Sequence, residues 1–530
     1  MSSPPGREEV RAAEVIAALC LATDLGTGLP FEHGLQSTLV AMRLADRLGA
    51  DEKTARQTYY ACLLFYSGCT ADADIVAEIF EPDALARYFN PVMFGSRSEV
   101  FGGILRSLAP PGSPAPVRAA RAARRLPKAL RMHGSHLTAL CEVAQMLTDR
   151  LGLDPSVSDL FAVLTERWDG KGEPGRLRGD AIPLPLRIVH VARDAALHRA
   201  LGGPDAARTI VRERSGGAFD PAIAKLFERD AADILAFDAP GSAWDETLAC
   251  EPGRPLVLTG ETIDRAFGAI GDFADLVSPY FVGHSAGVAK LVADAARRSG
   301  LADGEVAAAR RAALMHEVGR VSVPVWIWQR EGPLTADEWE RVRLHPYQAD
   351  RIVAHSPFLA ELAQAATCEH ERLDGSGYHR GAAGPALSRG ARLLAAADVY
   401  HALTEPRPHR LARAAPEAAA VVAEEARAGR LDADAVTAVV EAAGEKSPRI
   451  ERPAGLTERE AQVIGLLARG LQTKQVARAL GISAKTADHH IQNAYGKIGV
   501  STRAAAALFA MEHGLATWGE LPMASRPASS

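Results

Sequence analysis

A chain of 530 residues has room for about three domains, and its 47% hydrophobic and 24% charged content is ordinary for a globular protein. A net charge of −5 excludes a global attraction to nucleic acid, so any DNA contact has to be local. Six cysteines (Cys20, Cys62, Cys69, Cys141, Cys250 and Cys368), none in a CxxC pair, point to free thiols in a reducing compartment. The start, Met1 to Glu9, has no apolar signal-peptide core, and no run of about 18 apolar residues occurs. A cytoplasmic chain with no membrane contact is expected. Stretches rich in Ala, Leu and Arg, with few β-branched runs, predict an all-α fold.

In chain order, residues 1 to about 10 read as a disordered start, and 11–237 as a first helical domain. His33 opens a helix that closes at Gly49. Ala109 to Pro127, rich in Pro, Gly and Arg, reads as an exposed basic insertion. Residues 238–259 read as a linker. The second domain is placed at 260–444. Its His284 opens a helix in which Val288, Leu291 and Val292 fall at +4, +7 and +8, so His284 lies on the buried stripe. A buried His without a partner is costly, which leaves a metal or a hydrogen bond.

The pair His316-Glu317 ends the apolar run Ala313-Leu314-Met315 and is followed by Gly319-Arg320. His345, Glu369-His370-Glu371-Arg372-Leu373-Asp374-Gly375-Ser376-Gly377-Tyr378 and Ala397-Asp398-Val399-Tyr400 come next. Imidazole and carboxylate groups spread over successive helices make an N and O ligand set suited to Mn or Fe. This order, from about Val277 to Pro408, resembles the HD-GYP branch of the HD superfamily of metal-dependent phosphohydrolases. The resemblance implies a two-metal site, Fe or Mn, that hydrolyses phosphodiesters such as cyclic di-GMP. It maps His284, His316, Glu317 and Asp398 onto the basic HD ligands, and His345, Glu369 and His370 onto those of a second metal. It puts Arg320, Glu371 and Asp374 among the catalytic residues. Arg320 stands where the family usually has Lys, and a guanidinium still holds a phosphate. The chain departs from the family pattern at Glu317 (Asp in the family), Glu369 (His) and His379 (Pro). Tyr280 stands where three-metal members carry Glu.

Parts of the first domain repeat this pattern. His33 and His284 are each followed by Gly at +16, and Glu166-Arg167-Trp168-Asp169-Gly170 parallels Glu371-Arg372-Leu373-Asp374-Gly375. Asp194 follows Asp169 by 25 residues, as Asp398 follows Asp374 by 24. The expectation is two tandem HD-GYP-like bundles with a degenerate first copy. Phe65-Tyr66 replaces the His-acid pair, Thr165 stands where the second copy has His370, and His33, His133, His136 and Asp194 are too few for a metal site.

Residues 451–516 form a separate module. Thr457 and Glu460 make a capping box. Helices are expected to Leu467, from Thr473 to Leu480, from Ser483 through Lys497, and from Thr502. A helix, a short Gly turn and a capped polar helix form a helix-turn-helix. Leu456-Thr457-Glu458-Arg459-Glu460, Gly470 to Ala477, Leu480-Gly481-Ile482-Ser483 and Lys497-Ile498-Gly499-Val500 resemble LuxR-type DNA-binding domains. Seven Lys or Arg against four Asp or Glu in 453–516 give a local +3, suited to phosphates. Lys474, Ser483, Lys485 and Lys497 are the expected backbone contacts; Thr486, Asp488, His489 and Asn493 are placed to read bases. Residues 517–530 read as a disordered tail.

Two readings follow. One is a dimeric DNA-binding regulator whose HD-GYP-like half hydrolyses or senses a small phosphorylated nucleotide signal. The other is a metal-dependent phosphodiesterase that uses the C-terminal module only for localisation or dimerisation.

Overall fold

The computed structural model describes residues 9–70, 73–80, 84–112, 114–237, 243–446, 453–513 and 515–516. The fold is helical, as expected; its one sheet among the described residues has two short strands. By internal contacts the chain divides into two units, Met1–Gly283 with Glu317–Ala360, and His284–His316 with Glu361–Ser530.

The first unit opens with β1 (Glu9–Arg11), α1 (Ala12–Thr27), α2 (His33–Arg47), α3 (Glu52–Leu63) and α4 (Ala73–Ile79). It continues with α5 (Arg97–Leu108), α6 (Ala115–Arg150), α7 (Pro155–Phe161), α8 (Leu184–Arg214) and α9 (Pro221–Ile234). Then come α10 (Ala243–Ala249), β2 (Val257–Thr259) and α11 (Gly260–Asp275). β1 and β2 pair antiparallel, with Val10 opposite Leu258. Each strand leads into a helix, so the pair joins the entrances of α1 and α11. Helices α2 and α8 pack along each other, and α1 is buried along nearly its whole length. That explains why α1 reads as uniformly apolar and not as a striped surface helix.

Two expectations change here. The expected basic insertion is helical from Ala115 onward, and Pro127 lies inside α6. Exposure is as expected at its start, where residues 114–120 are exposed; a run of Ala and Arg has enough helix propensity to extend the helix into solvent. The described part of the expected linker carries α10 and β2, because Trp244 and Leu258 bury apolar surface there. His133 and His136 side chains, residues 1–8 and the tail 517–530 lie outside the described residues.

Unit one also takes α14 (Val325–Trp328), α15 (Ala336–Arg343) and α16 (His345–Val353). Gly319 faces α16 so closely that a Cβ would stand 2.0 Å from the His345 carbonyl oxygen. The second unit holds α12 (His284–Arg298), α13 (Asp303–Met315), α18 (Arg389–Thr404), α19 (Ala415–Arg427) and α20 (Ala433–Ala442). α17 (Pro357–Ala366) crosses from the chain of one unit into that of the other. Helix α12 packs against α13, α18 and α20, which buries its Val288 and Val292 stripe.

The C-terminal module has the four expected helices, α21 (Glu458–Ala468), α22 (Thr473–Ala479), α23 (Ala484–Ile498) and α24 (Arg503–Glu512). Thr457 and Glu460 form the capping box, and Ser483 and Thr502 cap α23 and α24. Its core is Val463, Ile464, Leu467, Val476, Ala487, Ile491, Ala494, Ala506 and neighbours.

Candidate metal centre and nucleic-acid interface

In the second unit His284 starts α12, His316 directly follows α13, and Asp398 lies within α18; all three are buried. Their ligand atoms lie within 4.8 Å of one another. His284 Nε2 is 3.2 Å and His316 Nε2 3.8 Å from Asp398 Oδ1; His370 Nδ1 is 3.7 Å from Asp398 Oδ2. Burial opposes the Asp398 charge, but the surrounding imidazoles outweigh it and hold the carboxyl well below the usual carboxylate range. In the first unit Glu317 Oε2 lies 3.3 Å from His345 Nε2, both groups buried. Glu317 follows His316 in the chain, so the peptide bond itself ties these two ligand candidates together.

The histidines share one feature that decides what their other nitrogen can do. His316 Nδ1 is 2.7 Å from the Ala313 carbonyl, His345 Nδ1 is 2.6 Å from the Val342 carbonyl, and His284 Nδ1 is 2.8 Å from a Glu405 carboxylate oxygen. These partners only accept, so each Nδ1 carries a hydrogen, and in the neutral ring Nε2 is then the lone pair that faces a carboxylate. An imidazole nitrogen and a carboxylate oxygen at 3.2–3.3 Å hold either a proton or a cation between them. The residues therefore fit a divalent metal, with N and O donors and fixed tautomers.

Other expected site residues take supporting positions. Arg320 is buried, pairs with Glu317, and lies over the rings of Phe281 (3.9 Å) and Trp328 (5.4 Å). Its Nη2 is engaged by Glu317, while Nε and Nη1 are buried with no hydrogen-bond partner among the described residues. Glu371 is fully buried and accepts from the backbone N–H groups of Arg380 and Ala382, both at 2.8 Å. Asp374 accepts from the Ser376 backbone and hydroxyl. Both shape the loop that carries Gly377 and Tyr378, whose ring stacks on His370 at 4.8 Å. Glu369 is fully buried. His401 and Glu405 are site neighbours that the motif reading did not single out.

The first half holds a different centre. His33 starts α2 as His284 starts α12, but its ring nitrogens find no hydrogen-bond partner among the described residues. The buried Arg193 guanidinium lies 4.7 Å from the Phe65 ring and 4.0 Å from the Tyr66 ring, and donates to the Cys62 carbonyl. Asp194 is paired with Arg214. Burial, aided by the Arg193 charge, pushes His33 well below its ordinary value. Burial raises the Asp24 carboxyl to about 7 although the Gly34 N–H and Arg193 pull it down. The loops still match. Glu166 accepts from the N–H groups of Arg176 and Leu177 as Glu371 does from its own loop. A Cβ on Gly172 or on Gly377 would meet backbone at 2.5 or 2.4 Å.

In the C-terminal module Lys474, Ser483, Lys485, Thr486, Asp488, His489 and Asn493 are all exposed, most of them on α23. Asn493 and His489 contact each other at 3.2 Å. Lys497, expected on a phosphate, instead binds Glu460 at 2.6 Å and the Gly455 carbonyl at 3.0 Å. It closes the module's own fold.

Comparisons with known proteins agree with this architecture. Residues 269–435 match the HD domain family, and residues 454–510 match the family of bacterial regulatory proteins, luxR family. The chain thus carries an HD domain and a luxR-type regulatory module. It is 28% identical over 423 residues to the 3'3'-cGAMP-specific phosphodiesterase 3 of Vibrio cholerae, covering 78% of this chain and 90% of that protein. Only 262 residues run from 269 to the C-terminus (530 − 269 + 1), so that alignment reaches into the first half. The chain is 35% identical over 152 residues to the cyclic di-GMP phosphodiesterase response regulator RpfG of Xanthomonas campestris pv. campestris, covering 28% of this chain and 39% of that one. A crystal structure of a cyclic GMP-AMP specific phosphodiesterase of V. cholerae shares the fold. Its TM-score is 0.58 at 24% identity, over 82% of this chain and 98% of that one. Among the described residues no helix is long and apolar enough to cross a membrane.

Proposed function

We propose that this protein is a DNA-binding transcriptional regulator, cytoplasmic and dimeric, whose HD domain hydrolyses a cyclic dinucleotide. The observation that carries the reading is the cluster of buried histidines with Nδ1 locked and Nε2 facing carboxylates. The relatives named for cyclic dinucleotide hydrolysis support the substrate class.

In this reading His284, His316, Glu317 and Asp398 hold one metal; His345, Glu369 and His370 add the ligands of a second, Fe or Mn. Bound cations supply an activated water and neutralise phosphodiester oxygens. The chain's own residues do the rest. Arg320 holds the Glu317 carboxylate in place. Glu371 and Asp374 set the loop, and Tyr378 stacks on His370, where a base or ribose approaches the site. The first half is a degenerate tandem copy that supports the assembly. The luxR-type module meets DNA through Lys474, Ser483 and Lys485 on phosphates, and Thr486, Asp488, His489 and Asn493 at base edges.

The test is metal content and turnover of cyclic dinucleotides by anaerobically purified protein, beside Asp398→Ala. Near two equivalents of Fe or Mn with turnover that the variant loses is expected. No metal and no turnover would leave the HD domain a sensor. A gel shift on genomic fragments at low salt tests the regulator half, and no shift there would sink it.

A further inference from the structure

Three histidines of the proposed centre hold Nδ1 against an acceptor, two of them a nearby backbone carbonyl and the third a distant carboxylate. His316 and His345 each use the carbonyl three residues earlier, Ala313 and Val342. His284 is the first residue of α12 and follows a turn over residues 279–283, not a helix. We infer that Glu405 is the positioning carboxylate of His284. Reaching from 121 residues away in the chain, it holds the Nδ1–H so that Nε2 faces Asp398, with which it would hold a metal.

The geometry is built for this task. Glu405 Oε2 lies 2.8 Å from His284 Nδ1 and 2.8 Å from Arg407 Nη2. Its Oε1 lies 3.3 Å from His401 Nδ1. Arg407 and His401 grip the carboxylate from its other sides, and the site is largely enclosed: side-chain exposure is 16% for Glu405 and 0% for His284. Gly287 makes room, because a Cβ there would stand 2.0 Å from His401 Nε2. Carboxylate–imidazole–metal chains of this kind fix ring orientation and tautomer and raise ligand basicity. Glu405, His401 and His284 also form a group whose ligand atoms lie within 4.8 Å of one another. The Arg407 guanidinium on the same carboxylate argues against a cation there and for the positioning role. The inference rests on His284 being a metal ligand, but its hydrogen-bond half stands apart from that.

The experiment uses the full chain, its histidines labelled with 15N, and the variants Glu405→Gln, Glu405→Ala and Gly287→Ala. Long-range 15N correlations on metal-free protein report the tautomer of His284, assigned by its loss in His284→Gln. Chelator competition reports Mn(II) affinity. Wild type is expected to show the Nδ1–H form. Glu405→Ala should lose it and bind Mn(II) about 10–100-fold more weakly. Glu405→Gln, whose amide oxygen still accepts, should lose less, and Gly287→Ala should weaken binding by displacing His401. An Nε2–H form in wild type, or unchanged Mn(II) affinity in Glu405→Ala, overturns the inference. If wild type binds no Mn(II), the metal reading fails, while the tautomer result still decides whether Glu405 positions His284.

Discussion

The two halves of this chain open the same way and reach opposite solutions. Each starts a 15-residue helix with a buried histidine, His33 and His284. In the second half the neighbouring positions are His316 and Glu317, which offer imidazole and carboxylate groups as candidate metal ligands, with Arg320 paired to Glu317. In the first half they are Phe65 and Tyr66, and the chain brings its own cations, Arg193 against the two rings and Arg214 on Asp194. The comparison teaches that a centre without a His-acid pair need not be apolar. A buried carboxylate needs a counter-charge, and on Asp194 the Arg214 guanidinium supplies one that never dissociates.

The sharpest test sets Asp398→Ala beside Asp194→Ala. The first is expected to lose bound metal and turnover by at least about 100-fold, since even residues behind the ligands cost about 10–100-fold. The second should leave metal content and turnover unchanged. Arg193→Ala attacks the other side. It removes a buried charge from its partners and should cost about 3–5 kcal/mol of stability in denaturant unfolding, with metal content intact. Metal loss there would show the halves to be coupled.

Asp24 separates the halves by pH. Its folded carboxyl is raised from 3.8 to about 7, so between those values the native state holds a proton that the unfolded chain has released. Its stabilising contribution is full below about 4 and is lost as pH rises to about 7. Denaturation midpoints at pH 5 and 7.5 should differ less in Asp24→Asn than in wild type. The glycines offer a matched pair. Gly172→Ala and Gly377→Ala should each cost about 1–3 kcal/mol because the Cβ meets backbone, but only Gly377→Ala should lower turnover. The smallest effect is in the module. Lys485→Ala should reduce the salt slope of DNA binding by about 0.9. Lys497→Ala should leave that slope in place and cost about 1 kcal/mol or less of module stability.

Much of this architecture is legible in the sequence. The helix-turn-helix can be read from its caps, because Thr457, Ser483 and Thr502 satisfy backbone N–H groups within a few residues of themselves. The ligand candidates can be read from motif order, since His316-Glu317 and His370 sit in short recognisable strings. Local chemistry writes itself into local sequence. The helix over Ala115–Pro127 shows where Pro and Gly content misleads: Ala and Arg propensity carries α6 through Pro127.

What only the tertiary structure decided are the partners that chain separation hides. Lys497 looks like a phosphate ligand in sequence, yet folding turns it onto Glu460, and Arg320 takes Glu317 as a partner. Arg193 becomes the cation of the first half because α8 lies along α2. Glu405 meets His284 across 121 residues, a pairing with no periodicity to betray it. Sequence alone determined the helical class, the helix-turn-helix and the set of candidate ligand residues. The fold decided which charge faces which, because a hydrogen bond or ion pair depends on distance in space and not on distance along the chain.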